Sequence, residues 1–433
     1  MLKNIYQKLT TSSFIRSSGV YTVSSFINAA IPFMLLPVLT RKLGPEDYGI
    51  VAMFQLVVSL IYPFMGLNLE GAIARKYYDK DNTNFSAFIG TSFILFVGSL
   101  ILVSCCFFFF DKEIHLYTQI PELYLKFILI VAACQFITST VLVLYQIRVK
   151  PISYGVFQIA QSILNIGFTL FFVLFLKKTW NGRIEAQLLS GIIFALISFL
   201  VLIKNKFITI HVKKSDIIYA LNFGVPLIPH ALGSILFSAI DRFFLTNLIG
   251  LEQTGNYSVA YQLGAVIGIF TISVNNAFVP WLFENLNKNS FEIKKYIVKW
   301  TYLYFIGLLV AASLLLILLP FAINFFIGKS FKTLNTYTTL IVFGFVFQGM
   351  YYMVTNYITY ANKTYLLAFI TISIALIKIP ITYYSITWFG AAGASLSYCI
   401  TFFIFFVATW ILSSFVYKMP WFDSSVVFAN REK

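Results

Sequence analysis

Long apolar stretches separated by short polar ones form the pattern of this chain. Ten of these stretches contain no Asp, Glu, Lys or Arg. Each predicts one membrane-spanning helix, because about 20 apolar residues cross the roughly 30 Å of hydrocarbon in a bilayer. The stretches are Ser17–Thr40, Tyr48–Leu69, Phe85–Phe110, Phe127–Ile147, Pro151–Leu176, Ala186–Ile203, Ile217–Ile240, Gln253–Phe283, Trp300–Gly328 and Thr333–Asn362.

A last apolar block, Thr364–Tyr417, is too long for a single helix. Gly390 and Gly393, near its middle, are typical of a turn and divide the block into two spans. The sequence therefore predicts an all-α polytopic membrane protein with twelve transmembrane helices, numbered spans 1 to 12 in chain order.

The composition agrees with a lipid environment. Hydrophobic residues make up 59% of the 433 residues and charged residues 11%, whereas a soluble domain carries about 45–50% and about 25%. The net charge of +15 would indicate a nucleic-acid partner in a soluble protein, but cytoplasmic loops of membrane proteins also collect Lys and Arg. The four cysteines and three histidines have no metal-ligand spacing, so neither a metal nor another cofactor is expected.

Lysine and arginine are unevenly divided between alternate loops. With the N-terminus inside, the inner loops and tails hold 20 of them and the outer loops hold 10. This bias predicts that both termini are cytoplasmic. No connecting loop exceeds roughly 20 residues, which leaves no room for an extramembrane catalytic domain, and we do not expect an enzyme.

An internal repeat divides the chain into two halves. The segments Leu39–Gly49 and Leu245–Gly255 are identical at five of eleven positions, with an offset of 206 residues. In the first segment, Gly44 is expected to end span 1 in a left-handed conformation, and Pro45 to begin span 2. The acidic pair Glu46 and Asp47 suits the positive end of that helix.

Each repeated segment joins the first and second spans of a six-helix half. The sequence thus predicts an N-terminal lobe of spans 1–6, residues 1–206, and a C-terminal lobe of spans 7–12, residues 207–433. Because six is even, the repeat is parallel, and two such lobes around a central cavity are typical of an alternating-access transporter. An ancient duplication kept only for packing remains the alternative.

The motifs resemble a known family. Pro37–Gly49 resembles the helix 1–2 signature of polysaccharide-synthesis (Wzx-like) flippases in the multidrug/oligosaccharidyl-lipid/polysaccharide (MOP) exporter superfamily. Gly66–Tyr78 is similar to the end of helix 2 in that family. Ile240–Leu245 together with Gly250–Tyr261 resembles the counterpart in the second half.

The resemblance implies a flippase of the bacterial cytoplasmic (inner) membrane. Such proteins move undecaprenyl-pyrophosphate-linked oligosaccharide repeat units of O-antigen, lipopolysaccharide or capsule to the outer leaflet by alternating access. The implied partners are this lipid-linked oligosaccharide, membrane lipids, and a polysaccharide polymerase with chain-length proteins, but no nucleic acid. The chain departs from two other branches of the superfamily. It lacks the intramembrane acidic residues of cation-driven drug exporters in its N-terminal lobe, and the arginine cluster of peptidoglycan-precursor flippases.

Lys378 is the clearest candidate substrate-binding residue. It lies 14 residues into span 11 and shares a polar stripe with Thr371, Thr382 and Ser385. An intramembrane cation is expected to face a cavity, where it would attract a pyrophosphate group. On this hypothesis Lys378→Ala loses transport at normal expression and Lys378→Arg keeps part of it. A structural lysine is the alternative.

Span 7 carries Asn222, Pro226, His230 and Asp241 on one predicted face, and its two prolines are expected to disturb the helix. His230 is a candidate for substrate binding or proton uptake, or else a packing residue. Asp241 is a candidate for ion coupling or for structural pairing with a basic residue of another helix. Arg242 is a further candidate for substrate binding.

Other candidate substrate contacts lie at the inner mouth and along polar stripes. Arg16 and Arg75 are placed to bind phosphate at the cytoplasmic entrance, or serve as ordinary positive-inside residues. Candidate sugar contacts are Asn28 in span 1 and Gln158, Gln161 and Asn165 in span 5, although interhelical hydrogen bonds explain them equally well.

Two other functions remain open from the sequence. One is a cation-coupled exporter of drugs or small metabolites on the same fold. The more remote one is a membrane polysaccharide polymerase or glycosyltransferase, whose paired catalytic groups are not evident. The glycine-rich phosphate-binding loop of nucleotide hydrolases is absent, which argues against direct drive by ATP.

Overall fold

The computed structural model describes residue 28 and residues 33–79, 84–209, 211–288, 290–331 and 334–422. Within these ranges all regular elements are helical, and residues 33–42 form a helical segment before the first labelled helix. The helices are α1 (Pro45–Gly66), α2 (Leu69–Tyr77), α3 (Phe85–Phe109), α4 (Asp111–Thr118), α5 (Glu122–Ile147), α6 (Pro151–Leu170), α7 (Trp180–Lys204), α8 (Lys214–Gly224), α9 (Ile228–Leu248), α10 (Leu251–Asn287), α11 (Phe291–Phe326), α12 (Leu334–Tyr360), α13 (Thr364–Phe389) and α14 (Ala392–Val416).

The described residues contain eleven helical stretches that are long and apolar enough to cross a membrane. These stretches coincide with predicted spans 2 to 12, and span 1 lies largely outside the described residues. The prediction of an all-α polytopic membrane protein is therefore confirmed.

The chain forms two compact units, Met1–Ala239 and Ile240–Lys433. In the first unit α7 packs against α5 and α6, and α5 packs against α1. In the second unit α12 packs between α10 and α14, and α13 packs against α14. The first unit also includes α8, which contacts α2 and α3. The division into lobes at residue 206 stays a prediction.

The two repeated turns have different backbones. Gly44 has an extended conformation with φ −74°, so the expected left-handed end of span 1 is wrong. Its N–H instead donates to Asp47 Oδ2 at 3.0 Å, which caps the start of α1, and Pro45 occupies the first turn as expected. Gly250 has φ +132°, a conformation that favours glycine, and its N–H bonds to the carbonyl of Leu245.

Span 7 is broken, as its prolines predict. After α8 a 3₁₀ turn at Val225–Leu227 contains Pro226, and α9 begins at Ile228. Just before the break, Gly224 approaches the chain between α1 and α2, where Asn68 Nδ2 donates to the Gly224 carbonyl at 3.3 Å. A Cβ at Gly224 would lie 2.0 Å from the carbonyl oxygen of Leu67, so this contact requires glycine.

Helices α5, α7, α10 and α11 are longer than the predicted spans. Helix α10 has 37 residues and α11 has 36, so Phe291–Lys299 is helix rather than loop. The predicted turn between spans 11 and 12 is present, because α13 ends at Phe389 and Gly390 has φ +61°.

Candidate functional site

A polar cavity of about 400 Å³ lies inside the first unit. Helices α1, α5, α6 and α7 contribute to its wall, together with one residue from span 1. The lining includes seven carboxamide side chains and one guanidinium group. So many polar side chains are unusual in a cavity enclosed by apolar helices. The lining residues are Asn28, Gln55, Val131, Gln135, Thr138, Ser139, Leu142, Gln158, Gln161, Ser162, Asn165, Arg183, Gln187, Ser190 and Gly191.

Helical periodicity places these side chains in the cavity. Residues three and four positions apart share one face of an α-helix, and Gln158, Gln161 and Asn165 follow this spacing on α6. Ile163, on another face of α6, is exposed. Arg183, Gln187 and Ser190 follow the same rule on α7. The face of α5 that lines the cavity runs from Val131 to Leu142 in the same way.

Arg183 is held by hydrogen bonds to α6. Its Nη1 donates to Asn165 Oδ1 at 2.7 Å and to Thr169 Oγ1 at 3.1 Å. Asn165 Nδ2 donates in turn to Ser190 Oγ at 2.9 Å. Because both ends of the Asn165 amide have partners, its carbonyl oxygen is fixed toward the guanidinium.

The remaining carboxamides have unused hydrogen-bonding capacity. Gln187 Nε2 donates to Gln55 Oε1 at 3.1 Å, and Ser162 Oγ donates to Asn28 Oδ1. Gln158 Oε1 is buried and has no hydrogen-bond partner. A buried acceptor without a partner is costly, so the cavity is suited to a ligand rich in hydroxyl groups.

The structure brings together four of the residues predicted from the sequence. Asn28, Gln158, Gln161 and Asn165 all line this cavity. The sequence did not predict Arg183, because the predicted spans end at charged residues and Arg183 then falls in the outer loop between spans 5 and 6. In the structure it lies inside α7. Its helical spacing from Gln187 and Ser190 is the pattern that indicates this position.

A carboxylate adjoins this cavity. Glu70 Oε1 accepts hydrogen bonds from Tyr62 Oη and, at 2.6 Å, from Ser139 Oγ, which also lines the cavity. None of the ion pairs among the described residues involves Glu70. Glu70 lies in α2, beyond the last residue of Pro45–Gly66, the helical stretch that is long enough to cross a membrane. The structure thus places a carboxylate beside the cavity, while the expected lack of the drug exporters' intramembrane acidic residues stays a prediction.

The second unit contains a buried ion pair. Lys378 Nζ lies 2.8 Å from Asp241 Oδ2, and both side chains are buried. Tyr257 Oη donates to the same carboxylate oxygen at 3.1 Å, and Thr382 Oγ1 donates to Oδ1 at 3.3 Å. Thr382 also shares a hydrogen bond of 2.7 Å with Ser397 of α14. The pair thus joins α9, α10, α13 and α14.

The picture of Lys378 as a lone, cavity-facing cation is wrong. Burial removes water from the ammonium group, and an isolated charge there is costly, so the fold pairs it with Asp241. Structural pairing of Asp241 with a basic residue of another helix was one of the two roles expected from the sequence, and Lys378 is that partner. Arg242, its neighbour, instead stacks on Tyr261 with Cζ 4.8 Å from the ring centroid.

The other sequence candidates lie elsewhere. His230 and Arg75 are exposed, whereas Asp241, on the same helix α9 as His230, is buried. Arg16 lies outside the described residues. Among the residues that the structure describes, no group of three or more His, Cys, Asp or Glu could hold a metal ion.

Solved structures with the same fold are transporters. A multidrug resistance MATE family transporter of the MOP superfamily, in an inward-facing conformation, superposes with a TM-score of 0.74 at 14% identity, covering 89% of this chain and 94% of that one. The Vibrio cholerae MATE transporter VcmN, in its bent form, gives a TM-score of 0.54 at 12% identity, covering 93% and 98%. At these identities the likeness shows the fold alone.

Sequence relatives include a capsule protein. The Staphylococcus aureus capsular polysaccharide biosynthesis protein CapF is 25% identical over 347 residues, covering 77% of this chain and 82% of that protein. A Haemophilus influenzae membrane protein of undescribed function is 28% identical over 366 residues, covering 83% and 87%.

A family model for polysaccharide biosynthesis proteins matches residues 14–286. It confirms the resemblance to polysaccharide-synthesis proteins that the motifs indicate. Since the match spans more than half of the 433 residues, this multi-pass membrane protein belongs to the polysaccharide biosynthesis protein family.

Proposed function

We propose that the protein is a flippase for lipid-linked oligosaccharides. Its substrate would be an undecaprenyl-pyrophosphate-linked repeat unit of O-antigen or capsule, carried from the cytoplasmic to the outer leaflet. The observation that carries this proposal is the carboxamide-lined cavity within the transmembrane helices of a polysaccharide biosynthesis protein. Amide groups donate and accept at once, as sugar hydroxyls do, and so match a glycan better than an apolar drug.

The proposed cycle needs no covalent chemistry. Lobes 1–206 and 207–433 would open alternately to the two sides, while the lipid tail stays in the bilayer. The glycan would be bound by the amide cavity and released on the far side. The protein would lie in the bacterial inner membrane with both termini cytoplasmic, and would act beside a polymerase and chain-length proteins rather than as an enzyme itself.

A drug or metabolite exporter is the second candidate. The MATE neighbours favour it through their fold. The polar lining of the cavity and the match to the polysaccharide family favour the flippase instead.

Deletion of the gene separates these two functions. The parent strain and the deletion strain would be compared for surface polymer, for lipid-linked repeat units on the cytoplasmic leaflet, and for sensitivity to toxic compounds. We expect loss of polymer and trapped repeat units, both restored by the wild-type gene. Intact polymer with altered drug sensitivity would contradict the flippase.

The amide cavity gives a sharper prediction. The double variant Gln158→Leu/Gln161→Leu removes two carboxamides that line the cavity. Each hydrogen bond contributes about 0.5–1.5 kcal/mol, so for one bond per carboxamide we expect transport at limiting substrate to fall about 5- to 150-fold at unchanged protein level. Repeat units reaching the outer leaflet of complemented cells would measure this. Exposed Asn205→Ala, in the same unit, serves as the control and should retain full transport.

A further inference from the structure

A guanidinium group without a carboxylate partner lines the amide cavity. Among the residues that the structure describes, no ion pair involves Arg183. The carboxylate two residues along the chain, Glu185, pairs with Lys178 and accepts a hydrogen bond from Tyr124 at 3.0 Å. Among the described residues, the guanidinium of Arg183 donates hydrogen bonds to two neutral oxygens of α6, and it also interacts electrostatically with Tyr48 of α1.

The hydrogen bonds to α6 leave part of the guanidinium unused. Both of them are donated by Nη1, whereas a guanidinium has five N–H donors in a planar fork. This fork matches the two oxygens of a carboxylate or phosphate. Asn165 and Thr169 hold the group on one side, and Ser190 fixes Asn165. The side chain is thus oriented before any ligand binds.

We propose that Arg183 recognises an oxyanion of the transported substrate. The oxyanion is the carboxylate of an acidic sugar or the pyrophosphate that links sugar to lipid. The surrounding carboxamides, among them Gln158 with its unpartnered buried oxygen, bind the neighbouring sugar hydroxyls. This inference rests on the proposed flippase function and adds the charge of the group that the cavity selects.

Specificity follows from the cost of leaving Arg183 without a counter-ion. A substrate that fills the cavity but carries no anionic group removes water from the guanidinium without forming an ion pair with it, which is unfavourable. An anionic substrate gains charge-assisted hydrogen bonds, which are roughly twice as strong as neutral ones. The site therefore discriminates by charge, whereas the carboxamides alone would accept any glycan of suitable size.

Calorimetric titration of the purified full-length protein in detergent micelles tests this. The probes are a trisaccharide with one uronic acid, the same trisaccharide with that acid reduced to the neutral hexose, and inorganic pyrophosphate. We expect at least one anionic probe to bind, and its affinity to fall at least about tenfold in Arg183→Gln. Exposed Lys204→Gln, on the same helix, should bind as the wild type does.

The probes distinguish the two sources of the oxyanion. Preference for the uronic acid over its reduced form identifies a sugar carboxylate, and Arg183-dependent binding of pyrophosphate identifies the linker. Anion binding that is unchanged in Arg183→Gln overturns the proposal. If that variant does not fold, the wild type decides the matter, because equal binding of the acidic and reduced trisaccharides together with no binding of pyrophosphate also overturns it.

Failure of this inference differs from failure of the flippase function. Equal binding of both trisaccharides by the wild type and by Arg183→Gln, without Arg183-dependent binding of pyrophosphate, would contradict the anion site but leave a glycan-binding cavity. Intact surface polymer after deletion of the gene would contradict the flippase function itself.

Discussion

Replacing Lys378 by methionine is expected to lower the free energy of unfolding by about 3–5 kcal/mol, since removing one partner leaves the other as an uncompensated buried charge. The side chains of Lys378 and Asp241 are 1% and 0% exposed, so water cannot replace the lost partner. Denaturant unfolding in micelles, followed by tryptophan fluorescence, measures the change. Lys378→Ala should likewise reduce the amount of folded protein, contrary to the expectation of normal expression drawn from the sequence.

The double variant Asp241→Leu/Lys378→Met tests whether the loss of stability in the single variants comes from the charge that is left unpaired. Replacement of both charges by apolar groups is often close to neutral, although Tyr257 loses its acceptor. We therefore expect the double variant to be more stable than either single variant. Exposed Lys299→Met should unfold like the wild type. Additive losses in the double variant would show that the two charges do not depend on each other.

Gly393→Ala is expected to have the second largest effect among the variants considered. It should lower the free energy of unfolding by about 3 kcal/mol or more, at the upper end of the range for overpacking. A Cβ at this position would lie 1.9 Å from the carbonyl oxygen of Ser385. That atom belongs to the backbone of α13, so α13 and α14 must separate. The separation would also stretch the hydrogen bond of 2.7 Å between Thr382 and Ser397. The melting temperature and the yield of monodisperse protein measure the effect.

Gly307→Ala provides the matched control in the same unit. Nothing lies within 4 Å of a Cβ at Gly307, which is inside helix α11. Alanine is favoured over glycine by about 1 kcal/mol in a helix interior, so this variant should be as stable as the wild type or more stable. If Gly393→Ala behaved in the same way, α13 and α14 would not pack as closely as described.

The candidate residues of span 5 could be found from the sequence because they share one helix. Gln158, Gln161 and Asn165 repeat every three or four residues, and this spacing alone places them on one face. The partner of Lys378 is 137 residues away along the chain, and a linear pattern carries no information about such a contact. Arg183 shows a third case, since its place depended on whether α7 begins before or after it.

The sequence by itself determined the membrane environment, the positions and order of apolar spans 2 to 12, and the family. These properties depend on hydrophobicity averaged over many residues and on the spacing of local motifs, and both can be read from the linear sequence. Only the tertiary structure decided which polar groups meet. It buried Lys378 against Asp241, placed Glu70 beside Ser139, and gathered Arg183 with the carboxamides of α1, α5, α6 and α7. Each of these depends on how helices rotate and pack, because the large majority of buried polar groups form hydrogen bonds, and here their partners lie on other helices.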